Sequence, residues 1–404
     1  LGRGHAHAAL GRPAEARREY ALAVADSRAA GDWFMVEHGH WYELHLVALP
    51  YQADDLGARA RLAADGARAW ARATGTATTA THGAQSALPL ALLEGRWEEA
   101  GALAVAGRAS AVVPVFQGAL VALGTLARHR GAPARAWELV RALHPAGPAT
   151  APGDGYFPHD LAGLALAADL ALDAGDPALA GSWIAAHGRW LAWSGAILWR
   201  AEHEVLRARH ARLAGDPARA RSHGEAALTH AEEPRQPLAL LAAHRLLGEL
   251  ATADRCDDDA ARHLDAALAL AGACAAPYER ALTLLALAEL HAATSDREAA
   301  RSALDEVRAI CEPLEARPAL ARAEALAARL AAPAAPPPAY PAGLTAREVE
   351  VLRLVAAGLP DAQVAARLFL SPYTVKAHLR AIYGKLGVDN RTAAARFAVE
   401  HGLA

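Results

Sequence analysis

Lysine is nearly absent from this chain of 404 residues: of its 41 lysines and arginines, only Lys376 and Lys385 are lysines. A phosphate-cradling loop of the Gly-Lys-Ser/Thr kind therefore has no residue to build on, since Lys385 follows Gly384 but precedes Leu386. Cysteine is scarce as well. Cys256, Cys274 and Cys311 are too few for a disulfide framework and too far apart for a Cys-x-x-Cys site, which fits a reducing cytoplasm. No uninterrupted apolar run approaches the roughly 18 residues of a membrane span, and no signal peptide is present. Methionine occurs once, at Met35, and the chain begins at Leu1, so a piece of a longer product is expected.

Catalytic and metal signatures are missing too. No Gly-x-Ser-x-Gly elbow exists. His203 and His210 stand seven apart, not at the i, i+4 spacing of a His-Glu-x-x-His metalloprotease. His38 and His45 share a helical face, with His40 on another flank, but lack a third ligand nearby, and packing or surface roles are expected. No catalytic residue, metal ligand or cofactor is assigned, and the chain is not expected to be an enzyme.

What the chain does hold is alanine. Hydrophobic residues make up 53% and aromatics only 5%, a balance that favours close-packed helices over a sheet of β-branched and aromatic residues. A short signature punctuates the first 330 residues: "GRPAEA" at Gly11, "GAPARA" at Gly131, "GDPALA" at Gly175 and "GDPARA" at Gly215. Glycine closes one helix in the left-handed region, the next residue caps its successor, and proline occupies the first turn, where no donor is needed. Looser copies lie at Asp54, Gly95, Asp254 and Asp296, so the spacing runs from 36 to 44 residues. That period predicts about eight helical hairpins stacked as a superhelix, each touching only its neighbours. This half resembles the tetratricopeptide class, with a generic helical bundle as the alternative, and such an array implies a concave surface for a protein or small-molecule effector. Trp183, Trp190, Trp193 and Trp199 crowd one repeat and are expected to pack among small residues.

Charge is divided unevenly. From Tyr340 onward eight Lys and Arg face five Asp and Glu, whereas the first 339 residues carry 33 against 39. Between the two lies "AAPAAPPPAYPAG", residues 331–343, whose five prolines predict an extended linker. Helix signals then follow in close order. Thr345 and Glu348 form a capping box and Gly358 ends the first helix; Asp361 caps a second; Ser371 and Pro372 open a third that closes at Gly387; a fourth follows Asn390. Val375, Leu379, Ile382 and Leu386 make one narrow apolar stripe on the third helix. Tyr373, Lys376, Ala377, Arg380 and Gly384 fall opposite it, and Thr374, His378 and Lys385 fall on a flank. Cations separated by small residues suit close entry into a major groove, with Lys376 and Arg380 reaching base edges and the flank near phosphates.

The segment "LTAREVEVLRLVAAGLPDAQVAARLFLSPYTVKAHLRAIYGKLGVDNRTAA" resembles the LuxR-type helix-turn-helix DNA-binding domain over residues 344 to about 402. The resemblance implies that Lys376, Ala377 and Arg380 face the bases, and that Ser371, Thr374, Lys385, Asn390 and Arg391 lean toward the backbone. Tyr373, where a small or basic residue is common, is placed with the backbone group, and Gly384 replaces a frequent Arg, Asn or Lys. The expected architecture is all-α: a tetratricopeptide-like solenoid over residues 1–330, a linker over 331–343 and a four-helix domain over 344–404. A helical array joined to such a domain is similar to the large ATP-binding LuxR-type regulators, the MalT-like group, whose N-terminal nucleotide-binding module is missing here. The expected function is a cytoplasmic bacterial transcription regulator acting on double-stranded DNA as a homodimer. The competing expectation is a protein-interaction scaffold whose helix-turn-helix docks on a protein; the groove-face cations disfavour it, since a docking face would carry apolar anchors.

Overall fold

The computed structural model describes residues 1–74, 87–110, 113–153, 156–332, 340–368 and 370–403. Among the described residues every regular element is a helix, and the chain divides into two compact units, Leu1–Leu330 and Ala331–Ala404. Residues 333–339 of the proline-rich segment lie outside the described residues.

The first unit is a run of hairpins. Their helices are α1 (Gly2–Ala9) with α2 (Pro13–Ala29), α3 (Trp33–Glu43, continued to Tyr51) with α4 (Leu56–Thr74), α5 (Leu88–Leu93) with α6 (Trp97–Gly107), and α7 (Val113–His129) with α8 (Pro133–Leu143). After these come α9 (Phe157–Asp173) with α10 (Pro177–Ser194), α11 (Arg200–Leu213) with α12 (Pro217–Glu232), α13 (Pro237–Ala253) with α14 (Asp257–Ala273), and α15 (Pro277–Ala293) with α16 (Arg297–Leu314). Among the described residues these make eight pairs, and a lone helix, α17 (Arg317–Ala331), ends the series.

The turn signature acts as its chemistry requires. Asp176 and Asp216 accept the N–H groups of Leu179 (2.9 Å) and Arg219 (3.0 Å), and proline fills the first position of α10 and α12. The preceding turn closes in the Schellman pattern, with the Asp176 N–H bonded to the Ala171 carbonyl. Where the signature loses its glycine, Arg255 and Ser295 take the left-handed conformation themselves. Small residues then let helices approach closely: a Cβ on Gly248 would stand 2.5 Å from Leu264. Trp183 and Trp190 are buried near Phe157 and Trp137, whereas Trp193 stays 61% exposed.

Contacts are not limited to neighbouring hairpins, contrary to what a simple solenoid predicts. The first four pairs each meet a segment about five places further along the series: the turn before α11, α13 with the turn after α14, α15, and the lone α17. Ile197 and Leu198 donate to the Ala9 carbonyl (2.8 and 3.1 Å). Ala53 packs with Leu238 and Cys274, while the buried Arg59 guanidinium donates to the carbonyls of Ala53 and Cys274 and to Glu94. Trp97 lies edge-on to Tyr278, 5.0 Å between centroids, and Gly131 meets Pro318. The superhelix therefore closes onto itself after one turn, and Leu88 and Trp97 share a single apolar cluster with Leu304 and Leu326.

Ion pairs join successive first helices. Arg128 of α7 reaches Asp169 (3.1 Å) and Asp173 (2.6 Å) of α9, and Arg209 of α11 returns to Asp173 (3.0 Å). Arg212 pairs with Glu249 of α13 (2.6 Å), and Arg245 with Glu279 of α15 (2.5 Å). Partly solvated pairs of this kind are worth about 1 kcal/mol or less each, so they specify register more than they stabilise.

Histidines occupy other seams. His187 and His203 meet through their Nδ1 atoms at 3.2 Å, as do His244 and His263 at 2.9 Å, so one ring of each pair must be neutral to accept. His45 donates its Nδ1–H to the Trp41 carbonyl (2.7 Å), His38 sits beside Glu37 (2.9 Å), and His210 donates to the Pro177 carbonyl (2.9 Å). Burial pushes the pKa of His45, His129 and His144 down to about 4.

Two outcomes are expected. Gly95 and Gly215 have nearly the same positive φ (76° and 77°), yet a Cβ on Gly95 would stand 2.7 Å from Pro277 Cγ while nothing lies within 4 Å at Gly215. Gly215→Ala should cost about 1 kcal/mol in urea unfolding and Gly95→Ala about 2 to 3 kcal/mol, and equal losses would deny the contact between turns. Acid should also weaken this unit early. Above pH 6.5 the buried imidazoles are neutral in both states; below it the unfolded chain takes protons that the fold refuses, down to the folded pKa near 4. Stability should fall between pH 7 and 5 by roughly 2 kcal/mol for each such histidine. A flat urea midpoint across that window would contradict this.

Candidate nucleic-acid interface

The second unit holds α18 (Ala346–Ala356), α19 (Asp361–Leu368), α20 (Pro372–Leu386) and α21 (Arg391–Glu400). Val349, Leu352 and Val355 of α18, Val364 of α19, Val375, Leu379 and Ile382 of α20, and Ala394 and Ala398 of α21 form its core. The apolar stripe of α20 thus points inward, and the opposite face is left to solvent.

Capping chemistry sets the ends of α20. The Ser371 hydroxyl accepts the Thr374 N–H (3.0 Å) and touches the Thr374 hydroxyl (2.8 Å), Pro372 takes the first position, and Gly387 closes the helix at φ 67°. The turn before it is pinned by Arg347, which donates to the Leu368 carbonyl at 2.7 Å. On the open face Lys376, Ala377, Arg380 and Gly384 are all exposed, and Tyr373 is 83% exposed, the highest value among the large apolar side chains. Nothing lies within 4 Å of a Cβ placed on Gly384, so this glycine flattens the face without serving the core.

The flank is different. Lys385 donates to Glu348 Oε2 at 2.7 Å, and the same oxygen accepts the Thr345 N–H at 2.7 Å while the Glu348 N–H bonds back to the Thr345 hydroxyl at 3.3 Å. One carboxylate therefore closes the capping box of α18 and ties down the C-terminal end of α20. Burial pushes the Glu348 carboxyl up, but Lys385 and Thr345 outweigh it and hold the group below its ordinary range. The flank read from the helical wheel as phosphate-facing is, at Lys385, the side on which α18 packs. Arg391 is similarly engaged, donating to Asp361 (2.7 Å) and to the Leu359 carbonyl. Asp361, expected as the cap of α19, is its first helical residue and the partner of Arg391 instead. Asn390 caps α21 through the Ala393 N–H (2.8 Å).

These pairings divide the cations of the unit. Arg353 donates to the Leu403 carbonyl (2.9 Å) and Arg396 to Glu400 (2.6 Å), so with Arg347, Lys385 and Arg391 five of the eight are committed within the domain. Among the described residues, Arg367, Lys376 and Arg380 have no ionic or hydrogen-bonded partner and are exposed. The wheel had singled out Lys376 and Arg380; Arg367, on the other helix of the pair, was missed.

Residues 342–398 match the family of bacterial regulatory proteins, luxR family. The nitrate/nitrite response regulator protein homolog of Haemophilus influenzae is 53% identical over 51 residues, 13% of this chain and 24% of that protein. The uncharacterized transcriptional regulatory protein YhcZ of Bacillus subtilis is 47% identical over 60 residues, 15% of this chain and 28% of its own length. The chain thus spans about a quarter of the length of either relative. A solved signal transduction ATPase with a tetratricopeptide repeat sensor, from Pyrococcus horikoshii, superposes over 83% of this chain and 52% of its own at a TM-score of 0.43 and 12% identity. No helix among the described residues is long and apolar enough to cross a membrane.

If the Glu348 carboxylate holds α20 in place, Lys385→Ala should loosen both helices. Stranding a buried carboxylate, discounted for the partly exposed lysine, should cost about 2 kcal/mol, read as faster amide exchange in α18 and α20. Unchanged protection there would reduce the pair to a surface contact.

Proposed function

We propose, from a C-terminal domain of the luxR family of bacterial regulatory proteins, that this chain is a transcription regulator that binds double-stranded DNA by laying α20 in the major groove. The observation that carries the reading is the open face of α20: two unpaired cations, Lys376 and Arg380, exposed on the solvent side of the helix with the small residues Ala377 and Gly384, away from its buried stripe. Lys376 and Arg380 read base edges, and Ala377 allows the backbone of the helix to come close. Ser371, Tyr373 and Thr374 stand at the helix N-terminus, where backbone N–H groups and the helix dipole favour phosphate, with Asn390 at the start of α21 as a further backbone contact. Lys385 and Arg391 serve DNA binding through the helices they hold.

The helical array supplies sensing or recruitment, and the protein acts in the cytoplasm as a homodimer in the manner of the large ATP-binding, MalT-like LuxR regulators. An effector, protein or small molecule, engages the array. This assignment is supported by the combination of a hairpin superhelix and a luxR-family domain on one chain.

Selection of bound sequences from random duplexes with the full chain tests the reading. A dimer should return an inverted repeat with half-sites about 10 base pairs apart. Lys376→Ala or Arg380→Ala should weaken the selected site by about 1 to 3 kcal/mol and relax preference at one position in each half-site. A double variant that keeps its helical spectrum and full affinity would remove α20 as the reading element.

A further inference from the structure

The division of cations in the second unit has a consequence for the strength and salt dependence of DNA binding. A duplex draws its affinity from cations that are free to displace counterions, and a side chain already bound to the protein contributes only by abandoning its partner. For Lys385 that would leave the Glu348 carboxylate, 5% exposed, without its counter-charge in the domain interior. For Arg391 it would release both Asp361 and the Leu359 carbonyl that holds the entry to α19. Arg347 and Arg353 are likewise committed to the Leu368 and Leu403 carbonyls, and Arg396 to Glu400.

Arg367 carries no such commitment. It is exposed in the last turn of α19, four residues before the Ser371 cap, on the helix whose Val364 and Ala365 are buried in the domain core. In a helix-turn-helix the helix preceding the recognition helix crosses the phosphate backbone while its partner enters the groove. We infer that Arg367 is the phosphate-binding cation of this domain, anchoring α19 to the backbone while Lys376 and Arg380 meet the bases, and that Lys385 and Arg391 make no phosphate contact. The inference rests on the groove reading of α20. The ordinary alternative for Arg367 is a solvated arginine that complements the C-terminal dipole of α19.

Salt titration separates the two roles. With the full chain and a labelled duplex of arbitrary sequence, the slope of log affinity against log salt between about 50 and 200 mM should fall by about 0.9 per bound domain in Arg367→Gln. Binding should weaken to a similar degree on every duplex, and the sequence preference should stay unchanged, unlike in Lys376→Ala. Arg396→Gln, removing a charge paired outside the interface, should keep the parent slope. The proposal is overturned if Arg367→Gln retains the parent slope while Lys376→Ala and Arg380→Ala still relax preference, or if Lys385→Gln, folded by circular dichroism, lowers the slope by a full contact. If Lys376→Ala and Arg380→Ala leave DNA binding and preference untouched, the groove reading itself fails and the role of Arg367 falls with it.

Discussion

One buried carboxylate, Glu348, sets the pose of α20, the helix proposed to meet DNA. Its single oxygen Oε2 receives the Thr345 N–H, which starts α18, and the Lys385 ammonium, which ends α20. Neither bond is strong by itself, but the group is out of water, and a buried acceptor left without donors costs far more than a satisfied one returns. That asymmetry makes the geometry of α18 and α20 mutually conditional. The capping residue and the carboxylate lie three positions apart and the lysine 37 further on, yet they behave as one joint. At the other end of the domain Arg391 performs a related service between α21 and the start of α19.

The array is held by different means. Its helices are rich in alanine and approach closely, so a proline ring or a tryptophan at a turn has large effects on where the next element goes. Ion pairs along the first helices are exposed enough to add little free energy, but their alternation of sign rejects a slipped neighbour. The polar seams of paired histidines need one neutral ring in each pair, which links the packing of the array to acidity.

Local signals in the sequence were highly informative. Each hairpin turn, the capping box at Thr345, the Ser371-Pro372 start, the Gly387 stop and the stripe of α20 are short-range patterns, and each reflects hydrogen bonds closed within a few residues. What a helical wheel lacks is knowledge of neighbours. It gives the direction of the core but not which flank another helix covers, so nothing in the α20 sequence distinguishes a solvated Lys385 from one held by Glu348 of α18. Arg367 is the converse case, a lone arginine at a helix end with no pattern to mark it. The contacts between superhelical turns join residues such as Gly95 and Pro277, whose prolines and glycines were already explained by local turn chemistry, leaving no residue that advertised a second role.

Those contacts also bear on how such a chain could have changed its length. An open solenoid can gain or lose a hairpin at almost any point, because every repeat offers its neighbour the same surface. Here each of the first four hairpins is matched to a particular partner five places on: Ala9 to Ile197, Ala53 to Leu238, Gly95 to Pro277, Gly131 to Pro318. Duplicating one unit between them would shift every later hairpin by one place and misalign all the pairs that straddle the insertion. Growth by single-repeat duplication is therefore barred inside the array and open only at its ends, so the number of repeats per turn is an inherited quantity of this fold that point substitution can adjust but recombination cannot.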